Sequence, residues 1–238
     1  MSFDPYEFDR GYSMSQGDTL GQYTAKTFLW MVLGLLVTFG VAIGCWVTKL
    51  APYILIFYPA VSVVVLIATL VLSITMARRI EKMRVGTAVA MFVAFSALFG
   101  FTMSIYFWRY SLEILGFSFL LTAVYFGALA AYGYFTRRDL SSLRTILISG
   151  LLFLIVFGVL SIFIPGLDMF DRVVCMLGIA IFLGYTAYDT QKIKAFYNYY
   201  ASSPEMLAKA SIFSALQLYL DFVNLFLYLL RFLGNKRR

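Results

Sequence analysis

Long apolar stretches separated by short polar segments constrain the fold of this chain more than any other feature. Seven of them occur, each close to the roughly 20 residues that an α-helix needs to cross a bilayer. The first covers about 28–48 and reads FLWMVLGLLVTFGVAIGCWVT. The other six are predicted at about 59–77, 86–107, 114–135, 145–164, from Val173 onwards, and 212–233.

The composition supports a membrane protein. Of the 238 residues 62% are hydrophobic and only 13% are charged, whereas about a quarter of the residues of a soluble domain are charged. The ten-residue alternation of a membrane β-barrel is absent. We therefore expect an all-α membrane protein with seven transmembrane helices. Residues 1–27 are predicted to form a cytoplasmic tail, 28–234 the transmembrane domain and 235–238 a basic C-terminal tail.

The loop charges predict the orientation. Twelve of the 19 Lys and Arg residues lie in the N-terminal tail and the loops on its side, and three lie in the opposite loops. This bias predicts a cytoplasmic N-terminus. The remaining four basic residues are Arg231 and residues 236–238. Seven complete spans would place them on the outer side, against the charge bias, so the sequence does not decide on which side the C-terminus lies. Because the bases cluster between spans, the net charge of +7 indicates topology and not a nucleic-acid partner.

Several kinds of site are excluded or disfavoured by residue type. The chain contains no histidine, which excludes histidine-based metal sites, His-dependent triads and histidine pH sensing. Cys45 and Cys175 lie in apolar stretches, which is typical of small packing residues. We expect no permanent cofactor.

A polar stripe runs along the seventh span. Its members are spaced by three and four residues, so they lie on one helical face; Tyr219 is out of step. In lipid this face must contact protein or water. Ser214, Gln217 and Asn224 are expected to hydrogen-bond neighbouring helices. The stripe consists of Ser214, Gln217, Asp221, Asn224, Tyr228 and Arg231.

Asp221 differs from the rest of the stripe because a carboxylate deep in the membrane is costly. An asparagine would join helices at lower cost, so a functional role is favoured. Asp189, in the sixth-span segment LGYTAYDTQKIK, is the candidate partner. The two reach similar depths if the sixth helix continues to the aromatic segment FYNYY at 196–200. If that helix ended at Lys192, the pair would not form.

Two carboxyl groups in a medium of low dielectric constant should share one proton and titrate as a unit. They also offer hard oxygen ligands to a cation such as Ca²⁺. We hypothesise that protonation and cation occupancy both control how tightly the sixth and seventh helices close. Arg78 or Arg79 is a candidate to lock the ionised form, or both are ordinary positive-inside anchors. Lys192 and Lys194 are expected to extend outward to the interface.

Three segments resemble the Bax inhibitor-1 family, the transmembrane Bax-inhibitor-motif proteins: GYTAYDTQKI, LYLDFVNLFLYLLRFLG and FGALAAYGYFTRRDLSSL. The resemblance implies a central seventh helix wrapped by six others. It also implies a pH-sensitive Ca²⁺ leak governed by a hydrogen-bonded aspartate pair, which Asp189 and Asp221 match. Arg231 matches a basic residue that some members pair with an acid in the second span, and here the second span has none.

The family includes eukaryotic regulators of cell death and bacterial members that modulate a membrane protease. The short tail and compact loops are typical of a bacterial member, which implies the cytoplasmic (inner) membrane. Three functions follow for comparison: a non-enzymatic cation leak channel, a contact regulator of a membrane protein, and an intramembrane aspartyl protease. The last has only the Tyr188-Asp189 half of its motif, because Leu218–Asp221 is LYLD where Gly-x-Gly-Asp is required.

Overall fold

The computed structural model of the protein describes residues 18–49, 53–54 and 59–234, and these are helical with no β-strand among them. The all-α prediction is therefore confirmed, whereas the predictions for 1–17 and 235–238 fall outside the described residues. A 3₁₀ turn, Leu167–Phe170, precedes the sixth long helix. The long helices are α1 (Leu20–Thr48), α2 (Pro59–Arg79), α3 (Val85–Met103), α4 (Leu112–Phe135), α5 (Leu143–Phe163), α6 (Asp171–Tyr200) and α7 (Pro204–Leu233).

Six helices in the described part of the chain are long and apolar enough to cross a membrane. They are α1, α3 with its short continuation, α4, α5, α6 and α7. Because α2 is not in this set, the count of seven spans stays a prediction. The predicted span 86–107 is interrupted: α3 ends at Met103 and the chain resumes as the one-turn helix Tyr106–Arg109.

Two helices begin eight residues before the apolar stretches predicted for them. The first, α1, starts at Leu20, within the segment predicted as a tail, because Thr19 and Gln22 cap it reciprocally. The second, α7, starts at Pro204, where the Ser203 side chain accepts a hydrogen bond from the Met206 N–H. Apolar length marks the membrane core, whereas capping residues mark the helix ends.

The last helix, α7, is the most buried. In its most apolar 18-residue window 67% of the residues are buried, against 11% for α5. It packs mainly on α1, α3, α4 and α6, while α5 packs on α6 and α2 packs on α3. Many Leu, Ile, Val and Phe side chains of the other helices are exposed, as suits a surface that contacts lipid. An arrangement with all six helices around α7 stays a prediction.

Tyr219 fastens three helices together in the core. Its side chain is fully buried, and its hydroxyl lies 2.6 Å from Oγ1 of Thr38 on α1. Thr38 in turn lies 3.0 Å from the carbonyl oxygen of Ser96 on α3 and 2.9 Å from that of Gly34. Because a threonine hydroxyl has one hydrogen, we infer that Tyr219 donates to Thr38 and Thr38 donates to a carbonyl. Tyr219, which does not follow the spacing of the polar stripe, is thus part of a buried chain of hydrogen bonds.

Lys209 ties the start of α7 to the turn between α2 and α3. Its side chain is buried, donates to the Glu81 carbonyl oxygen at 3.1 Å and forms an ion pair with Glu205 at 3.3 Å. The Tyr200 hydroxyl, at the end of α6, donates to Oε1 of Glu81 at 2.7 Å. Lys209 therefore lies in a buried contact between helices and not in a loop between spans.

Candidate functional site

Asp189 lies well inside α6. The helix continues past Lys192 to Tyr200, so the condition on which the aspartate pair depends is met. The eleven residues from Asp189 to the helix end correspond to about 16 Å of helix. The side chain is only 8% exposed. Asp189 is therefore a buried carboxyl group and not the polar edge of a span.

Asp221 is buried even more deeply on α7, with 4% of its surface exposed. Its Oδ2 atom has no hydrogen-bond partner among the described residues. The carboxyl groups of Asp221 and Asp189 are close enough to interact electrostatically. The hydroxyl of Tyr185 is close enough to interact electrostatically with both carboxyl groups. A carboxyl oxygen that is buried without a donor is a costly feature, which points to a proton or a cation as its partner.

Two aromatic contacts between α6 and α7 bracket the aspartates. Each aspartate lies seven or eight residues, about two helical turns, from the aromatic contact on either side. The two carboxyl groups therefore occupy equivalent positions on the facing surfaces of the most extensively packed helix pair in the described structure. The contacts are Phe182 with Tyr228 (ring centroids 5.8 Å apart) and Phe196 with Phe213 (6.2 Å).

The cation that approaches this pair is Lys192. Its Nζ lies 4.0 Å from Oδ1 of Asp189, and its charge also acts on Asp221. Lys192 was expected to extend outward to the interface, and the structure adds an ion pair with Asp189, because a residue three positions on lies on the same helical face. Its side chain is 31% exposed, and its Nζ also lies 5.2 Å from the centre of the Phe196 ring. Lys192 thus connects the pair to the solvent-facing end of the helix.

The structure does not bring Arg78 or Arg79 to the pair. Both are exposed at the end of α2, and within the described ranges neither forms an ion pair. Lys194 likewise faces elsewhere, since its ammonium group donates to the Tyr134 carbonyl and lies over that ring. The hypothesis of an arginine lock gives way to an ion pair within α6, which the spacing of Asp189 and Lys192 in the sequence could have indicated.

The polar stripe of α7 faces protein over most of its length. Ser214 and Asp221 are buried, and Gln217, Asn224 and Tyr228 are partly buried. Ser214 lies near Tyr23 on α1, but neither hydroxyl has a hydrogen-bond partner among the described residues, so the expectation that Ser214 hydrogen-bonds a neighbouring helix is not met. For Asn224 that expectation is wrong, because its amide donates to the Leu220 carbonyl of its own helix at 2.7 Å. A partner one turn away in the same helix satisfies the amide as well as a neighbouring helix would.

Arg231, at the end of the stripe, forms an ion pair with Asp171 at the start of α6. The guanidinium group also lies 5.9 Å from the centre of the Tyr228 ring. The acid that the resemblance led us to seek in the second span is thus supplied by α6. The contact between α6 and α7 thus has an ion pair of opposite charges at one end, and two acidic side chains, Asp189 and Asp221, further along.

The pair is sparse in ligands for a bound metal ion. No group of three or more His, Cys, Asp or Glu side chains that could hold a metal ion occurs in the part of the chain that the structure describes. Two carboxyl groups can hold Ca²⁺ only with further oxygens from backbone, amides or water.

The chain was compared with known proteins. A family described as inhibitor of apoptosis-promoting Bax1 matches residues 20–238. The inner membrane protein YbhL of Escherichia coli K12 is 37% identical over 222 residues, which cover 92% of this chain and 93% of YbhL. RP147 of Rickettsia prowazekii is 35% identical over 218 residues, which cover 92% of this chain and 91% of RP147. The chain belongs to the Bax inhibitor-1 family.

Membership in the Bax inhibitor-1 family confirms the resemblance drawn from the motifs. The match begins at Leu20, the first residue of α1, and includes all seven long helices. A further relative, from Borreliella burgdorferi, is 36% identical over 221 residues. These relatives are all bacterial, in agreement with the expectation of a bacterial member.

Gly133 holds α4 against the part of α6 that carries Asp189. A Cβ atom at this position would clash with the backbone of Ala187, two residues before Asp189. Helix backbones approach this closely only where a side chain is absent. The placement of Asp189 therefore depends on a glycine of a third helix.

We expect Gly133→Ala to lower the free energy of unfolding by about 1–3 kcal/mol, because backbone atoms must move to admit the methyl group. Thermal unfolding of the detergent-purified protein measures the effect. Gly116→Ala, on the same helix, is the matched control, since a Cβ atom there meets nothing within 4 Å. Equal stability of the two variants would contradict the close α4–α6 contact.

Proposed function

We propose that this Bax inhibitor-1 family protein is a pH-sensitive leak channel for calcium or a related cation. The observation that carries the proposal is that two buried carboxyl groups, Asp189 on α6 and Asp221 on α7, lie within electrostatic range of each other. We further propose seven spans with α7 central and the N-terminus in the cytoplasm. Similarity to YbhL, named as an inner membrane protein, supports the bacterial inner membrane as its location.

The chemistry of the pair supplies the gate. When the two carboxyl groups share a proton, they can hydrogen-bond to each other and hold α6 against α7. When both are ionised, they repel each other and attract a divalent cation. Ca²⁺ is the cargo in this scheme, and the carboxylates are a temporary site on its path. Lys192 competes with the cation for Asp189.

The ends of the two helices limit how far they can separate. Asp171 and Arg231 hold one end together by an ion pair. The other end is held by the short connection after Tyr200 and by the contacts that Tyr200 and Lys209 make with Glu81. Opening is therefore proposed as a local displacement around the aspartates, with the helix ends kept in place.

A second candidate function is regulation of another membrane protein by contact. The description of the matched family, an inhibitor, favours it, and the partner would be a membrane protease or a component of a cell-death pathway. Such a role is compatible with a leak. We propose no catalytic activity, since an aspartyl protease would require the Gly-x-Gly-Asp motif that LYLD replaces on α7.

Purified protein in liposomes should conduct Ca²⁺ in a manner that depends on pH, and Asp189→Asn or Asp221→Asn should remove that dependence. Neither variant can place two ionisable carboxyl groups opposite each other. A calcium-sensitive dye inside the liposomes, read at several pH values, measures the flux.

Asp139→Asn is the matched control for the flux, because Asp139 is exposed in the α4–α5 loop, where hydrogen bonds from Ser141 lower the pKa of its carboxyl. It should behave like the wild type. Absence of flux at every pH would refute the leak channel. Retention of activity on a membrane partner in the same preparation would then favour contact regulation.

We expect Lys192→Met to move the pH response of the flux to higher pH by about half a unit. The substitution removes the positive charge that stabilises ionised Asp189, and a partly exposed ion pair contributes about 0–1 kcal/mol. Lys82→Met, at an exposed lysine between α2 and α3, should leave the response unchanged. If Lys192→Met leaves the pH of the response unchanged or moves it to lower pH, Lys192 does not stabilise ionised Asp189.

A further inference from the structure

A groove of about 400 Å³ lies between α1 and α4. It is located at one end of the bundle, because its wall includes Gly21 in the first turn of α1 and Phe135 at the last position of α4. Small residues such as Ala25 and Gly127 leave the space open, and the Phe28 ring lines it further along. The groove is apolar and long in the direction of the helices.

The groove opens to the side of the bundle, where lipid surrounds a membrane protein. Gly21 and Ala25 on α1 are exposed, as are Gly127 and Ala131 on α4. The principal contacts of α1 are with α3 and α7, and those of α4 are with α6 and α7. The two helices that form the walls are therefore held by other neighbours. An apolar crevice on a side of the bundle that faces lipid suits an acyl chain.

The rim of the groove is basic. Arg137 and Arg138 follow α4 directly and are exposed. The ammonium group of Lys194 lies 4.7 Å from the centre of the Tyr134 ring, which lines the groove. Of the carboxylates nearby, Asp18 is paired with Lys26 at 2.6 Å, whereas Asp139 accepts hydrogen bonds from the neutral Ser141 and keeps its charge. Among the described residues, three cations, Arg137, Arg138 and Lys194, thus face the single unpaired carboxylate of Asp139, and the rim has a net positive charge.

We propose that the groove binds one acyl chain of an anionic phospholipid, with Arg137 and Arg138 at its phosphate. Basic residues beside an apolar cleft between helices are the arrangement that recognises anionic lipid headgroups. Arginine is suited to phosphate because its guanidinium group donates two parallel hydrogen bonds. The end of the bundle is the one whose charges predict a cytoplasmic location, so the lipid belongs to that leaflet. This site is independent of the aspartate pair.

Native mass spectrometry of the detergent-purified full chain tests the site. Added phosphatidylglycerol should give a one-lipid complex, and phosphatidylcholine with the same acyl chains should bind at least tenfold more weakly. Arg137→Gln with Arg138→Gln should reduce the preference by about 30-fold, or to none where the preference is smaller, since each of the two basic residues contributes on the order of 1 kcal/mol and about 1.4 kcal/mol corresponds to tenfold.

The acyl-chain contact is tested by filling the groove. Gly127→Phe should abolish the one-lipid complex, whereas Gly116→Phe on the same helix should retain it, because a Cβ atom at either position meets nothing within 4 Å and only Gly127 lines the groove. Equal binding of the two lipids, or equal binding by the two phenylalanine variants, would overturn the proposal. The arginine substitutions lie outside the helices, so they test it even if Gly127→Phe does not fold.

Discussion

The burial of two carboxyl groups at one helix contact is the constraint on which this structure depends. Asp189 and Asp221 lose most of their contact with water, yet the described structure supplies them with one partly exposed lysine at 4.0 Å from Asp189. Two charges of the same sign in such a place are expensive unless a proton or a cation joins them. We therefore propose that the closeness of α6 and α7 at this level depends on the proton or cation that the carboxyl groups bind.

In this proposal, the rest of the bundle limits the movement of α6 and α7 to the middle of the helix pair. Asp171 and Arg231 close one end, and the contacts of Glu81 with Tyr200 and Lys209 fix the other. Gly133 allows α4 to press on α6 beside Asp189. In the proposed gating, a change in protonation would act on a short segment whose two ends are held by these contacts, an arrangement that favours two discrete states over a gradual spread.

The sequence predicted the helices and the aspartates because both follow from local pattern. Apolar length indicates a span, and spacings of three and four residues placed Asp221 on a face that contacts protein. Tertiary partners were harder to predict. Lys192 was assigned to the interface although its spacing from Asp189 allowed a pair, and the sequence offered no partner for Arg231, which pairs with Asp171 of α6. Tyr219 was set aside because its role depends on Thr38, 181 residues away.

The central claim is that the two aspartates hold one proton between them at neutral pH. Infrared spectroscopy of the reconstituted protein measures it directly, through the carbonyl stretch that a protonated carboxyl group shows and a carboxylate does not. The account predicts a protonated carboxyl at pH 7 that disappears at alkaline pH and is absent from the Asp189→Asn, Asp221→Asn double variant. No such band at pH 7, or a band that persists in the double variant, would contradict it.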